Sequence, residues 1–274
     1  MREKHKMKKY TTLLFAFLYS CSIYAILPKS SYALPAYSTN KHDEQIIEYE
    51  RYTVSYNKKY RIPNWVAWEL VEEHTKGPGD RINSSFKEDV NVGSPTTKEY
   101  YGNHQEPKGK YHRGHMCPSA DNKWSQEIMD ESFYTTNICP QTLDLNDKAW
   151  GVLEDRCRKW CADYDKIYIV CGPIIEDYSN SKVFIGPNKD IYVPNEFFKA
   201  ILRVKLDKRG RVIGAESIGF IFTQEGSMKL CSVNHIENIT DFNLFHNLPN
   251  YIQEKTEVGY NKNKWNFGKL DRYL

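Results

Sequence analysis

The stretch His112-Arg113-Gly114-His115-Met116-Cys117-Pro118 carries the most chemical information in this sequence. Two imidazoles, a guanidinium, a glycine and a proline fall within one short segment. The glycine permits unusual backbone angles, and Pro118 is incompatible with a regular central strand. His115 can exchange a proton near neutral pH, and Arg113 suits phosphate oxygens. We therefore interpret the segment as a reaction centre rather than as a polar turn without function.

A helix is predicted about thirty residues further along the chain. Its apolar side chains recur at every fourth position, which is typical of a buried helical stripe; they are Leu145, Ala149, Leu153 and Cys157. An adjacent row at the same interval consists of Asn146, Trp150, Glu154 and Arg158. Asp144 can cap the start of the helix. The polar row indicates a functional site. The alternative is an ordinary solvent-exposed helix face that carries a Glu154–Arg158 ion pair.

The remaining pattern predicts an α+β fold with a central, mainly antiparallel sheet flanked by helices. Runs of β-branched and aromatic residues predict strands at 47–56, 64–71, 133–138, 166–171, 197–206 and 213–223. A hairpin turn is expected at 207–210, and residues 75–99, which include Arg81, are expected to form a loop. Helical character is expected at the start of 233–250, whereas residues 259–274 give no clear pattern.

The first 33 residues have the composition of a secretory signal peptide. They carry six lysines and arginines against one glutamate, followed by an apolar run and small residues. The run is short for a membrane span. Attachment of a lipid at Cys21 is the alternative, because residues 18–21 resemble a lipoprotein box. We expect a linker at 34–46, a single domain at 47–274, and a secreted or periplasmic protein, or one anchored to the membrane by lipid.

The charge distribution argues against a polycationic protein. The chain of 274 residues has a net charge of +3, and its first 33 residues contribute +5, so the remainder carries −2. A field of that size does not attract nucleic acid over the whole surface. Any polyanionic substrate must therefore be bound by a local cluster of basic side chains.

Six cysteines remain after the predicted leader, and an even number in an exported chain suggests disulfide bonds. A bond between Cys117 and Cys139 would brace the two polar motifs that these residues follow. Zinc is the competing interpretation, but the sequence has no C-x-x-C spacing, which thiolate zinc sites usually show.

Several ordered blocks resemble a known family. The segment from His112 to Asp121 resembles the Asp-Arg-Gly-His signature of the DNA/RNA non-specific endonucleases, which are ββα-metal nucleases. The likeness continues in residues 136–141 and in the helical row from Asn146 to Arg158, and a weaker likeness runs over 65–249. Two positions depart from the pattern: His112 stands where the family usually has Asp, and Cys117 replaces a small residue.

The resemblance implies a magnesium ion, with Mn²⁺ as a substitute. It implies that Asn146 is the only direct protein ligand and that Glu154 positions the water ligands. Eight helical residues rise by about 12 Å, so we do not expect both side chains to ligate one ion directly. Mg²⁺ retains several waters in protein sites, which agrees with a single protein ligand.

The remaining roles implied by the resemblance concern the phosphodiester. His115 is expected to be the general base that activates water, and Asn137 is expected to be a substrate-binding residue. The arginines that bind the scissile phosphate and its transition state are expected to be Arg81, Arg113 and Arg158. Contacts to backbone phosphates would make cleavage independent of sequence, and the family implies 5′-phosphate products.

Two other functions remain open at this stage. The chain could be a nucleic-acid-binding surface protein without activity on the same fold, or a phosphodiesterase for small or lipid substrates. The sequence does not indicate a preference for DNA or RNA, and it does not indicate an oligomeric state.

Overall fold

The structure is a computed structural model that describes residues 32–37, 43–100, 109–175 and 182–274. The first half contains β1 (Ala36–Tyr37), β2 (Gln45–Glu48), β3 (Tyr52–Asn57), β4 (Ile62–Leu70), α1 (Thr97–Tyr100), β5 (Tyr111–His115), α2 (Gln126–Glu131) and β6 (Ile138–Thr142). A π-helical segment (Asp144–Trp150) then leads into α3 (Gly151–Trp160).

The second half completes the sheet and adds two more helices. It contains β7 (Lys166–Ile174), β8 (Val183–Ile185), β9 (Ile191–Val193), β10 (Glu196–Leu206), β11 (Val212–Thr223), β12 (Met228–Cys231), α4 (Val233–Thr240), β13 (Phe242–Asn243) and α5 (Asn250–Glu257). Short 3₁₀ helices lie at Glu72–Thr75, Arg81–Asn83, Ser119–Asp121, Thr135–Asn137, Cys161–Asp163, Lys262–Lys264 and Gly268–Tyr273.

A seven-stranded antiparallel sheet in the order β12-β11-β10-β7-β4-β3-β2 forms the centre of the molecule. Successive strand residues point to opposite faces, so each central strand supplies two cores. Phe197 packs in the core on the side of the π-helix and α3, and Phe198 packs in the core on the side of α4. The predicted α+β architecture, with a central antiparallel sheet and flanking helices, is confirmed.

Strands β5 and β6 pair antiparallel beside this sheet and carry the two polar motifs. Gly114 lies opposite Cys139, and a Cβ at Gly114 would overlap the buried Gln141 amide. The π-helix and α3 follow directly, and the Trp150 indole nitrogen donates to the His115 carbonyl oxygen over 3.1 Å. These two strands and the helix are the ββα unit that the sequence predicts.

The predicted helix is present, but its first part is a π-helix. The Gly151 N–H donates to the Asn146 carbonyl, an i to i+5 bond that widens the turn. The predicted cap at Asp144 is wrong, because its carboxylate pairs with Lys148 within the helix. Instead, the Leu145 N–H donates to the Thr142 hydroxyl over 3.3 Å.

Three predicted elements differ in extent from the observed ones. Residues 47–56 are not one strand, because a Tyr49–Tyr52 turn divides them between β2 and β3. Residues 135–137 of the strand predicted at 133–138 form a 3₁₀ helix, and the strand begins at Ile138. The helix predicted from 233 ends at Thr240, because Asp241 adopts a left-handed conformation with φ of 62°.

Part of the predicted linker at 34–46 belongs to the folded domain. Ala36 and Tyr37 pair with β13, and residues 45–46 lie in β2. Backbone pairing therefore overrides the polar composition that predicts a loose linker. Ala33, at the end of the predicted leader, is fully buried. Residues 1–31, including Cys21, lie outside the described residues, and within the described ranges we find no helix suited to crossing a membrane.

The six cysteines of the described chain are free and buried, so the disulfide prediction is wrong for this structure. Cys139 lies opposite Gly114 in the ladder, and the chain runs three residues further before Cys117. The Cys117 sulfur instead receives a contact of 3.4 Å from the Asn122 amide. The Cys171 thiol donates to the Met116 carbonyl over 3.3 Å.

The C-terminal residues pack against the end of α3. Trp265 and Phe267 contact the Trp160 ring edge-on, with centroids 4.7 and 6.1 Å away. The Trp160 indole nitrogen donates to the Asn266 carbonyl over 3.0 Å. The tail that the sequence leaves unplaced therefore supports the helix that bears Asn146 and Glu154.

Candidate active site

A cavity of about 550 Å³ lies between the end of β5 and the outer face of the π-helix and α3. Six of the seven predicted site residues line it: Arg81, Arg113, His115, Asn146, Glu154 and Arg158. They come from a loop, a strand and a helix that are far apart in sequence. The cavity is thus the place where the separate polar motifs meet.

His115 is the last residue of β5 and is only 6% exposed. Its ring packs against Phe86 and Phe133, with centroids 5.1 and 4.9 Å away. Burial, followed by the charges of Arg81 and Arg113, lowers its pKa to about 3. The imidazole is therefore neutral near pH 7, and its Nε2 atom has no hydrogen-bond partner. A buried acceptor without a partner in a polar cavity is suited to taking a proton from a bound molecule.

Two of the arginines that line the cavity also contact aromatic rings. The Arg113 guanidinium lies 4.0 Å above the Phe86 ring centroid. The Arg81 guanidinium lies 5.6 Å from the Phe133 centroid and donates weakly to the Ser119 hydroxyl over 3.5 Å. Planar guanidinium groups stacked in this manner suit recognition of phosphate oxygens.

Arg158 is held by a carboxylate that the sequence analysis does not assign. Its Nη1 donates to Asp121 over 2.8 Å, and it also pairs with Asp155. The Asp121 side chain is only 1% exposed, and its second oxygen accepts from the Trp68 indole over 3.1 Å. Burial raises the pKa of Asp121, and the Arg158 charge opposes that rise. Asp121 belongs to the motif that begins at His112, and its place in that motif is the sequence signal that marks it as a candidate site residue.

Asn146 and Glu154 supply oxygen donors along one side of the cavity. The Asn146 amide nitrogen donates to Asp147 over 2.6 Å, which leaves the amide oxygen as the atom for a cation. Burial raises the pKa of Glu154 to about 7, while Lys199 and Arg158 lower it. Amide and carboxylate oxygens are the ligands of hard divalent cations, so this donor set fits Mg²⁺ or Mn²⁺. In the described ranges no three His, Cys, Asp or Glu side chains form a metal site.

Lys199 is a second residue that the sequence analysis does not assign. It lies in β10, is 1% exposed, and places its ammonium 3.9 Å from the Trp150 ring centroid. Its nitrogen is 4.0 Å from a Glu154 oxygen. A lysine within a buried strand is unusual, and this is the sequence signal for its role. Its charge favours the ionised form of Glu154.

The predicted contact between Asn137 and substrate is wrong for this geometry. Asn137 is fully buried, and its side chain is occupied by three hydrogen bonds of 2.8–2.9 Å. Its oxygen accepts from the Cys117 N–H, and its nitrogen donates to the Cys117 and Ser132 carbonyls. Asn137 fixes the turn after His115 instead. His112, in the position of the family's Asp, pairs with Gln141 across the ladder and is not among the residues that line the cavity.

The comparison with known proteins agrees with the fold and gives the family. The family model described as DNA/RNA non-specific endonuclease matches residues 31–251. Human mitochondrial endonuclease G is 32% identical over 58% of this chain and 54% of its own length. The mitochondrial nuclease EXOG of Xenopus laevis is 32% identical over 69% of this chain and 52% of its own length.

A solved structure shows the same fold. A chain in the crystal structure of the EndoG/EndoGI complex matches with a TM-score of 0.66 and 21% identity. The match covers 82% of this chain and 92% of the other. The fold is that of a ββα-metal nuclease. The chain belongs to the DNA/RNA non-specific endonuclease family, as the sequence predicts. It spans about half the length of the two relatives above.

The comparison corrects the predicted location. A secreted or periplasmic protein, or one tethered by lipid at Cys21, is expected from the first 33 residues. Both relatives are instead named as mitochondrial proteins, so this prediction is wrong. A short basic and apolar N-terminus is also found in targeting segments other than secretory leaders, and composition alone separates them poorly.

Proposed function

We propose that this chain is a metal-dependent endonuclease that hydrolyses phosphodiester bonds of DNA and/or RNA without sequence specificity. The observation that carries the proposal is the unpartnered, buried Nε2 of His115 in a cavity lined by three arginines. A neutral base and several cations within one cavity match the demands of water attack on a phosphodiester. The family membership supports the same reaction class.

His115 has the role of general base. Its low pKa keeps the imidazole unprotonated at neutral pH, so Nε2 can accept the proton of an attacking water. Phe86 and Phe133 fix the ring and exclude bulk water around it. Positioned proton transfer of this type contributes about 10²–10⁴-fold to a rate.

The arginines bind the scissile phosphate and oppose the negative charge that grows on it. Arg81 and Arg113 approach from the His115 side, and Arg158 approaches from α3, where Asp121 fixes its orientation. Groups that are oriented before the reaction stabilise the transition state without reorganisation. Contacts to phosphate rather than to base edges are expected to make the enzyme indifferent to sequence.

Asn146 and Glu154 would hold the cation, Asn146 directly and Glu154 through water. A bound Mg²⁺, or Mn²⁺ in its place, supplies positive charge to the phosphate oxygens and to the leaving group. The Lys199 charge opposes the rise in the pKa of Glu154 and so favours its carboxylate form, in which Glu154 can orient ligands. Water attack at phosphorus with departure of the 3′-oxygen would leave 5′-phosphate ends.

Nicking of a supercoiled plasmid, with and without EDTA, tests the proposal. We expect nicks in Mg²⁺, none in EDTA, and ends that ligase can rejoin, because ligation requires a 5′-phosphate. Single-stranded RNA assayed in parallel reports the substrate range. Binding of the plasmid without nicks would indicate a nucleic-acid-binding protein, and cleavage of a small chromogenic phosphodiester alone would indicate a phosphodiesterase.

A further inference from the structure

A second cavity, of about 530 Å³, lies on the opposite side of the sheet from α3, between α4 and α5. The residues that line it are distinct from those of the catalytic cavity. Four carboxylates line it, from Glu237, Asp241, Glu254 and Glu257. Among the described residues that form its wall there is no lysine, arginine or histidine. The cavity is therefore acidic, and the described residues of its wall supply no basic side chain.

Glu257 is the observation that points to a ligand. The residue is 5% exposed, and its Oε1 atom is buried without a hydrogen-bond partner. A buried carboxylate oxygen without a donor costs free energy unless it binds a proton or a cation.

The neighbouring side chains present further oxygen atoms. Glu237 accepts from the Leu244 N–H over 2.7 Å with one oxygen, which fixes its carboxylate at the cavity. The Gln253 amide nitrogen donates to the Asn243 side chain and to the Leu244 carbonyl over 2.9 and 3.1 Å. Because its nitrogen is occupied in this way, Gln253 has its oxygen left as a ligand. The C-terminal end of α5 adds the negative end of a helix dipole.

We propose that this cavity binds one divalent cation, Ca²⁺, with Glu257 and Glu237 as its carboxylate ligands. Amide oxygens and waters complete the shell, because Ca²⁺ takes six to eight oxygen ligands in flexible geometry, whereas Mg²⁺ demands a near-ideal octahedron. The bound ion joins α4 to α5 and stabilises the fold. Glu257 lies outside the segment matched by the family model, which ends at residue 251. The lining residues are also distinct from those of the catalytic cavity, so the site is separate in position from the proposed catalytic metal.

Calcium titration of the full chain carrying Asn146→Ala tests this site with the proposed catalytic metal site weakened, and the Glu257→Gln variant below separates the two sites. We expect calorimetry to give one bound Ca²⁺ per chain. At about 100 times Kd, Ca²⁺ shifts the unfolding equilibrium roughly 100-fold. For a chain of this size that shift raises Tm by about 5–10 °C.

Adding Glu257→Gln to the Asn146→Ala chain is expected to abolish both the binding heat and the rise in Tm. The matched control is Glu225→Gln in the same background, because Glu225 is an exposed carboxylate away from the cavity; it is expected to keep both. Glu237→Gln gives the second test if the first variant does not fold. Equal Ca²⁺ responses in the Glu257→Gln and Glu225→Gln chains, or no response in the Asn146→Ala chain, would overturn the proposal.

Discussion

The Trp150 indole nitrogen and the His115 carbonyl oxygen are joined by a hydrogen bond of 3.1 Å. This bond connects the last residue of β5 to the helix, four residues after Asn146. The proposed general base and the proposed cation ligand therefore belong to one connected unit. The Trp150 ring also lies over the Lys199 ammonium and packs between Phe197 and Phe222, which prevents the unit from rotating.

Replacement of the proposed general base is expected to abolish most of the activity without unfolding the chain. His115→Ala should lower kcat for plasmid nicking by at least 10²–10⁴-fold. His235→Ala, a change of an exposed histidine on α4, serves as the matched control and should leave kcat unchanged. Thermal unfolding verifies that both variants are folded. Nicking by a folded His115→Ala chain at the rate of the control would contradict the assigned role.

The arginines should differ in their effect on stability although all of them contribute to activity. Arg158→Ala leaves the buried Asp121 carboxylate without its partner, a loss that typically costs about 3–5 kcal/mol. Arg81 is exposed, so Arg81→Ala should change stability by less than about 0.5 kcal/mol. Urea unfolding measures the difference, and kcat/KM should fall in both variants. Equal unfolding free energies for the two variants would show that the Arg158–Asp121 pair is not important for the fold.

Asn146→Ala should raise the Mg²⁺ concentration that gives half-maximal nicking. The expected increase is more than about tenfold, because even residues that only support a metal ligand change affinity by 10–100-fold. Asn188→Ala, in the exposed turn between β8 and β9, is the control. The Mg²⁺ titration of Asn146→Ala should still reach saturation at high concentration. A midpoint identical to that of the control would remove Asn146 from the proposed metal site.

Without divalent cations, the stability of the chain should decrease at alkaline pH because of Glu257. Its pKa is raised from 4.5 to about 8 in the folded state, so the folded state holds a proton that the unfolded state has released. The contribution of Glu257 is therefore complete below about pH 4.5 and is lost as the pH rises through 8. Urea unfolding in EDTA between pH 5 and pH 9 should show a steeper decline for the wild type than for Glu257→Gln. Parallel curves would contradict this assignment.

The sequence predicts the fold class, the ββα unit and most of the cavity because local rules determine those features. The strands at 166–171 and 197–206 are continuous apolar runs, and the helical row from Asn146 to Arg158 has a clear period. The buried positions of Asn137 and Asp121 depend on which polar groups face each other after folding. A polar side chain that hydrogen-bonds to the backbone and one that contacts substrate can be the same type of residue. The sequence alone therefore does not distinguish the two roles.

Long-range packing explains the other differences. The contact between Lys199 and Glu154 depends on the position of β10 beneath α3. Ala36–Tyr37 forms a strand only because β13 lies beside it. The proximity of Cys117 and Cys139 to the polar motifs predicts a disulfide, but Cys139 lies opposite Gly114, three residues before Cys117, and both thiols are free. The N-terminal leader is a compositional inference, and composition does not distinguish one destination from another.

The widened turn over Asp144–Trp150 restricts how the length of this segment can vary. Each residue of an α-helix rotates the chain by about 100°, so loss of one residue here would turn Asn146 away from the row that contains Glu154. Replacement of one side chain changes only the contacts of that side chain. Deletion of one residue would instead move Asn146, the proposed cation ligand, away from Glu154. Insertions and deletions in natural variants are therefore expected in the surface turns, and the count of residues between Gln141 and Glu154 should stay constant.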